Sequence, residues 1–228
     1  MTQKFPELGE VFEQRYELLE VLGAGGGGTV FKARQITADR MIALKVLHPQ
    51  QGFDEESKQR FLREAKALNK LSHENIVSVY HLGFSDFGLP YLAMELIQGN
   101  SLRACLNAEG HLSSRRIFSI VKQLCSALAC MHEVGIIHRD LKPENIMLIQ
   151  KPEPDTVKII DFGLVRVDNS AEQKLTATGL LIGSVNYMSP EQCQGKKADA
   201  RSDVYALTVC MYEMLSGKLP FQQILQLV

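Results

Sequence analysis

The sequence predicts an α+β protein in two parts, a small strand-rich lobe carrying one helix and then a mainly helical lobe. Three observations carry this. Up to about Met94 the apolar residues fall in short runs rich in β-branched and aromatic types. Beyond it they recur at helical spacing over two long segments. The 228 residues suffice for one large domain or two small lobes with sizeable cores. No internal repeat or low-complexity linker interrupts the chain, and a cleft between lobes is a favoured place for a ligand.

In order, the strand-like runs are Tyr16–Leu22, Val30–Ala33, Met41–Leu47, Ile76–Phe84 and Tyr91–Met94. Glu55–Leu71 carries Phe61, Ala65 and Leu68 on one helical face, with Asp54 as its N-cap. Ile117, Val121, Leu124, Leu128 and Met131 alternate four- and three-residue steps, so Ser114–Glu133 reads as a helix capped by Ser113 and followed by Gly135. Short strands Asn145–Ile149 and Val157–Ile160 follow, separated by the proline-containing loop Gln150–Asp155. A last helix, about Ser202–Leu215, ends at Gly217 and Pro220.

Composition removes several function classes. Lys plus Arg (25) nearly equals Asp plus Glu (26), leaving no cationic surplus for a nucleic-acid backbone or an anionic membrane. The five cysteines are scattered and form no C-x-x-C pair, which suggests neither a disulfide framework nor a zinc site. No uncharged apolar run is long enough to span a bilayer, and the N-terminus, with Glu7, Glu10 and Glu13, has no signal-peptide core. The expected location is cytoplasmic.

Four constellations carry chemistry. Gly23-Ala24-Gly25-Gly26-Gly27-Gly28-Thr29-Val30 fits G-x-G-x-x-G-x-V between two strands. Glycines let backbone N–H groups approach a phosphate without a Cβ in the way. A floppy hairpin would look the same in isolation. The following strand excludes a dinucleotide-binding fingerprint, and no Gly-Lys-Ser/Thr closes a Walker loop. Next, Ile42-Ala43-Leu44-Lys45 sets one lysine in an apolar strand, where burial is costly unless it is paired. It is either an edge lysine in water or a phosphate grip paired with a helix carboxylate, for which Glu64 is the candidate. Third, His138-Arg139-Asp140-Leu141-Lys142-Pro143-Glu144-Asn145 crowds charge into a loop between apolar segments. A carboxylate beside a cation can accept a hydroxyl proton, and an amide can hold a metal. Fourth, Asp161-Phe162-Gly163 follows a strand; a carboxylate there suits Mg2+, although Asp-x-Gly alone is an ordinary turn signal.

Taken in order, and with Ser189-Pro190-Glu191, these motifs resemble the eukaryotic-type (Hanks-type) Ser/Thr protein kinase catalytic domain over roughly residues 10 to 221. The resemblance implies a bilobal protein-kinase-like fold, with a small antiparallel-sheet N-lobe plus one helix and a mainly helical C-lobe. The expected divisions are an extension over residues 1–14, the N-lobe over 15–94, a hinge over 95–101 and a partial C-lobe over 102–228. The wording of Gly183–Gln192 and the entry through Gly9, Glu10, Arg15 and Tyr16 resemble bacterial members.

The resemblance also implies roles. Gly23, Ala24, Gly25, Gly26, Gly27 and Gly28 would form a lid over the phosphates of ATP. Lys45 would hold the α- and β-phosphates and pair with Glu64. Val30, Ala43 and Met147 would sandwich the adenine, Glu95 to Ile97 would be the hinge, and Met94 would gate the pocket behind it. Asp140 would be the catalytic base and Lys142 would neutralise the transferred phosphoryl group. Asn145 and Asp161 would bind Mg2+. Lys142 places the chain in the Ser/Thr class. Arg139 would await a phosphate on Thr176 or Thr178. Leu68, Tyr80, Phe162 and His138 would stack as an apolar column anchored by Asp203. The implied partners are ATP and Ser/Thr-bearing protein substrates, with self-association as a route to trans-autophosphorylation, and no nucleic acid.

Three departures stand out. Gly27 occupies a lid position usually held by a bulkier residue, and Ser184 stands where Thr is common. The chain stops at Val228, where the family continues through further helices, so the C-lobe is expected to lack its last helices. One of those helices would supply an Arg to Glu191; without it, Glu191 is expected to turn toward solvent. Two rival readings are a nucleotide-binding scaffold of pseudokinase type, which the shortened C-lobe favours, and a small-molecule phosphotransferase. Such scaffolds generally lose one of Lys45, Asp140, Asn145 and Asp161, and such phosphotransferases usually lack the Gly loop and the Ser189-Pro190-Glu191 stretch.

Overall fold

A computed structural model describes residues 5–25, 27–48, 59, 71–150, 155–161 and 185–221. The chain divides into two compact units, Met1–Ser72 with Val77–Ile97, and His73–Ile76 with Gln98–Val228. Among the described residues no helix is long and apolar enough to cross a membrane.

The first unit is built on one antiparallel sheet of six strands: β1 (Val11–Phe12), β2 (Tyr16–Gly25), β3 (Gly28–Gln35), β4 (Arg40–Val46), β5 (Val79–Phe84) and β6 (Pro90–Glu95). Their order across the sheet is β1-β2-β3-β4-β6-β5. Side chains alternate between faces at period two. Ile42, Leu44 and Val46 of β4 therefore bury on one face with Phe31 and Ala33 of β3 and Tyr91 and Ala93 of β6. Phe12, Tyr16, Leu18 and Leu89 complete that core. Full burial of a Leu or Ile side chain contributes roughly 1.5–3 kcal/mol, so this face defines the register. β1 lies within the stretch expected to be an extension, because Val11 and Phe12 pair with Glu17 and Tyr16. β5 begins at Val79 rather than Ile76, since Ile76 bridges to Ile159 and Asn75 O accepts from Ile159 N at 2.9 Å in the second unit. The helix expected over Glu55–Leu71 lies, apart from Gln59 and Leu71, outside the described residues.

The second unit contains α1 (Leu102–Glu109), α2 (Ser114–Glu133), α3 (Pro190–Cys193) and α4 (Ala200–Ser216). A small antiparallel sheet is formed by β7 (Asn100–Ser101), β8 (Ile146–Ile149) and β9 (Thr156–Ile159). α2 keeps its expected bounds, with the Ser113 hydroxyl accepting from Arg116 N at 3.4 Å, and it buries Ile117, Ile120, Leu124, Ala127, Leu128 and Met131. α4 starts two residues before the expected helix because Asp199 and Ser202 form a reciprocal capping box. It ends at Gly217, whose φ is 69°. α1 was not foreseen. It is short, although Ser101 caps it and Leu102, Cys105 and Leu106 bury at helical spacing.

Candidate active site

In the first unit the glycine-rich stretch is the hairpin between β2 and β3, with Gly25 paired to Gly28. Its glycines do different jobs. A Cβ on Gly23, Gly25 or Gly27 would meet nothing within 4 Å, so these positions leave backbone open to a ligand. A Cβ on Gly28 would run into the Val46 carbonyl and come within 3.0 Å of Leu47 Cα, and its φ is 147°. Gly28 is thus required by the close approach of the hairpin to the end of β4. Gly26 lies outside the described residues.

The sheet face opposite the core gathers Val30, Ala43 and Lys45 with Met94, while Met147 lies on β8 of the second unit. Val30 pairs in register with Lys45, and Ala43 with Met94. Alternation puts all four on the same face. Lys45 is half-buried there, while its neighbours Leu44 and Val46 are wholly buried on the other side. Glu95 N donates to Ser78 O at 2.9 Å and its carboxylate accepts from Ser78 N at 3.3 Å. Ile97 is half-buried. Glu64, the expected partner of Lys45, lies outside the described residues.

In the second unit the charged octapeptide folds into a tight loop. Lys142 Nζ lies 3.0 Å from Asp140 Oδ2. Asn145 Nδ2 donates to Asp140 O at 2.8 Å and to its Oδ2 at 3.3 Å. Pro143–Asn145 is a single 3-10 turn, after which Ile146 opens β8. β8 pairs with β9, Ile146 opposite Ile159, and Asn145 O accepts from Ile160 N at 3.0 Å. The hairpin therefore brings Asn145, just before β8, beside Asp161, just after β9. Both offer hard oxygen donors. Mg2+ binds through one or two carboxylates and keeps waters or substrate phosphates for the rest, so this donor set fits the ion.

The loop is anchored from outside. Arg139 has φ 65°, left-handed for a non-glycine residue, a conformation that costs of order 1–3 kcal/mol and must be held by its surroundings. Asp203 on α4, 1% exposed, accepts from His138 N and Arg139 N, each at 2.9 Å, and lies 2.8 Å from His132 Nε2. His138 is fully enclosed, and burial holds its imidazole pKa below the ordinary value, against the pull of Asp203, Asp140 and Asp161. Asp203 thus holds the loop through two backbone hydrogen bonds.

The protein kinase domain family matches residues 16–227. The chain belongs to the protein kinase family. Serine/threonine-protein kinase pkn3 of Myxococcus xanthus is 42% identical over 94% of this kinase chain. PrkC of Bacillus subtilis is 38% identical over 94%, and PknB of Mycobacterium tuberculosis 41% over 91%. The chain spans 40%, 32% and 33% of those three proteins' lengths. Among solved structures, the PknI kinase domain of Mycobacterium tuberculosis matches with a TM-score of 0.75 at 27% identity, covering 95% of this chain and 79% of that one.

Two expectations for this kinase domain are corrected by its geometry. Tyr80 is not a buried apolar residue: it is 40% exposed, and its ring carries the Arg40 guanidinium 3.6 Å from its centroid. Tyr80 falls at the β-bulge between Val79 and His81, where the alternation of β5 is broken and the extra residue is left unpaired. Glu191 is not left to solvent either. It is half-buried and accepts from the Ser202 hydroxyl at 2.6 Å, which holds its carboxyl below the usual range. Ser202 reaches it because the capping box of α4 presents that hydroxyl toward α3. Leu68, Phe162, Ser184, Thr176 and Thr178 lie outside the described residues.

Sequence reasoning missed a polar network beneath the loop. Arg103 on α1 donates to Glu144 Oε1 and Glu213 Oε1, both at 2.7 Å, and to the Tyr187 hydroxyl at 2.5 Å. The Tyr187 hydroxyl donates in turn to Glu213 Oε2 at 2.5 Å. Burial and Glu213 together push the Tyr187 phenol well above its ordinary pKa. Only the polarity of Glu213 inside an apolar helix pattern hinted at this; its partners Arg103 and Tyr187 come from two other elements.

Proposed function

We propose that this chain transfers the γ-phosphate of ATP, with Mg2+, to Ser or Thr hydroxyls of proteins. The carrying observation is the packing of Asp140, Lys142 and Asn145 into one loop whose hairpin sets Asp161 beside Asn145. Bound ATP-Mg2+ supplies the phosphoryl group and much of the charge neutralisation. Asp140 orients the substrate hydroxyl and accepts its proton, a contribution worth about 10²–10⁴-fold. Lys142 offsets negative charge near the transferred group, and Asn145 and Asp161 hold the metal. Lys45 grips phosphate, with Glu64 as its partner, while Gly23, Ala24, Gly25, Gly26, Gly27 and Gly28 cover it. Val30, Ala43 and Met147 flank the adenine and Glu95 to Ile97 border it.

The same reading makes Thr176 and Thr178 autophosphorylation sites. A phosphate there adds about −1.5 to −2 charges for Arg139 to pair with, and a second copy of the chain could deliver it in trans. The same reading puts the reaction in the cytoplasm. The scaffold reading is disfavoured because Lys45, Asp140, Asn145 and Asp161 are all retained.

The test is incubation of the chain with γ-labelled ATP, Mg2+ and a protein rich in exposed Ser and Thr. Label is expected on Ser and Thr of that protein, and mass spectrometry should find phosphate on Thr176 or Thr178. No label above the Asp140→Asn background overturns the proposal; phosphate only elsewhere on the chain, such as Ser170, removes the assigned phosphosites.

A further inference from the structure

We propose that Gln192 is a positioning residue that holds the Arg139–Asp140 peptide in its working orientation. This rests on the reading of Asp140 as the base. Gln192 sits at the third position of α3, and its side-chain oxygen accepts from Ser189 N and from the Ser189 hydroxyl, both at 3.1 Å. That use of the oxygen fixes which way the amide faces. Its nitrogen points the other way and donates to Arg139 O at 2.9 Å.

The recipient matters more than the bond. Arg139 is the residue with φ 65°, and its N–H is already held by Asp203 Oδ1 at 2.9 Å. Its two peptide groups are therefore clamped from two elements outside the loop, the N–H by α4 and the C=O by α3. The carbonyl that Gln192 holds belongs to the peptide leading into Asp140, so it sets the direction in which the Asp140 side chain leaves the backbone. Lys142 and Asn145 contact the Asp140 carboxylate itself, and Asn145 also its carbonyl. Ser189 and Gln192 thus couple the chain entering α3 to the carboxylate, through a single amide that acts as acceptor at one end and donor at the other.

Two substitutions separate this role from a merely structural one. Gln192→Glu keeps the acceptor for Ser189 and adds a favourable charge in the first turn of α3, but sets an oxygen against the Arg139 carbonyl. Gln192→Met loses all three bonds. If Gln192 only caps α3, the Glu variant melts and works like wild type. If it positions Asp140, both variants lose kcat for phosphoryl transfer, by roughly tenfold for a small misplacement of the reacting group. KM for ATP should stay within about twofold, as befits an interaction used in the transition state. Both variants should lower Tm, the Met variant further because it also loses the bonds to Ser189. Hydrogen exchange of the peptide covering Arg139–Asp140 should quicken in both. A Glu variant with wild-type kcat and wild-type exchange overturns the proposal. Should the unmodified chain transfer no phosphate, the reading of Asp140 as base fails, while the exchange comparison still decides the clamp: faster exchange in the Glu variant upholds it, unchanged exchange overturns it.

Discussion

Lys142 holds its ammonium nitrogen 3.0 Å from a carboxylate oxygen of Asp140, with both side chains less than one-fifth exposed (19% and 17%). Partial burial weakens solvent screening of such a pair. Asp140→Asn should keep the fold, because an amide oxygen can still accept from Lys142 and Asn145. It should lower phosphoryl transfer by about 10²–10⁴-fold. Radiolabel incorporation at matched Tm checks this, and a wild-type rate in the variant removes Asp140 from the mechanism.

The glycines of the hairpin should respond oppositely to substitution. Gly28→Ala drives a methyl into the Val46 carbonyl at a positive φ, and should cost about 1–3 kcal/mol of stability. Gly27 has open space around it. Gly27→Met should fold normally and reduce the ordering entropy of the lid, worth roughly 0.5–1 kcal/mol, which means a few-fold tighter ATP binding. Thermal melts and calorimetric titration with ATP-Mg2+ decide; an unchanged or weaker Kd counts against the lid argument.

The Glu213 side chain is 7% exposed and faces Arg103. Arg103→Ala would leave that carboxylate buried beside the Tyr187 hydroxyl with its cation gone, a change that costs about 3–5 kcal/mol. Tyr187→Phe removes a donor but leaves the cation, so about 1–3 kcal/mol is expected. Urea unfolding should rank them in that order. An Arg103→Ala chain as stable as wild type would show that the network contributes nothing net.

Acid sensitivity should begin near neutrality. Burial depresses the pKa of His138 and, with Arg15, that of His81. In the unfolded chain each returns to about 6.5, so below that pH the unfolded state binds more protons and stability falls. Glu191 and Asp199, depressed carboxyls, act only at lower pH, where the unfolded carboxylates protonate. Tm is therefore expected to drop between pH 7 and about 5.5, in the range of the unfolded His pKa. In His81→Gln the drop should shrink but persist, the remainder belonging to His138. A flat Tm over that range contradicts the burial argument.

Local pattern and motif determined much of this protein. The stripe from Ile117 to Met131 specified α2 to the residue, because helical periodicity and a serine cap are properties of neighbouring positions. The ordered motifs around Gly23, Lys45, Asp140 and Asp161 were enough to indicate the family that the comparison then showed. Strand faces were legible where one face is buried, as in β4.

What the sequence left open depends on partners far along the chain. That Ile76 leaves β5 to meet Ile159, that Tyr80 faces outward beneath Arg40, and that Ser202 takes up Glu191 are outcomes of packing between separate elements. The same holds for Gly28: four glycines in a row look alike as letters, and among the three that the structure describes the approach of the Val46 backbone marks Gly28 as the one with no room for a Cβ. Arg139 shows the reason most plainly. Nothing in its neighbours asks for a left-handed conformation. Its N–H donates to Asp203 and its carbonyl accepts from Gln192, both more than fifty residues away in the chain.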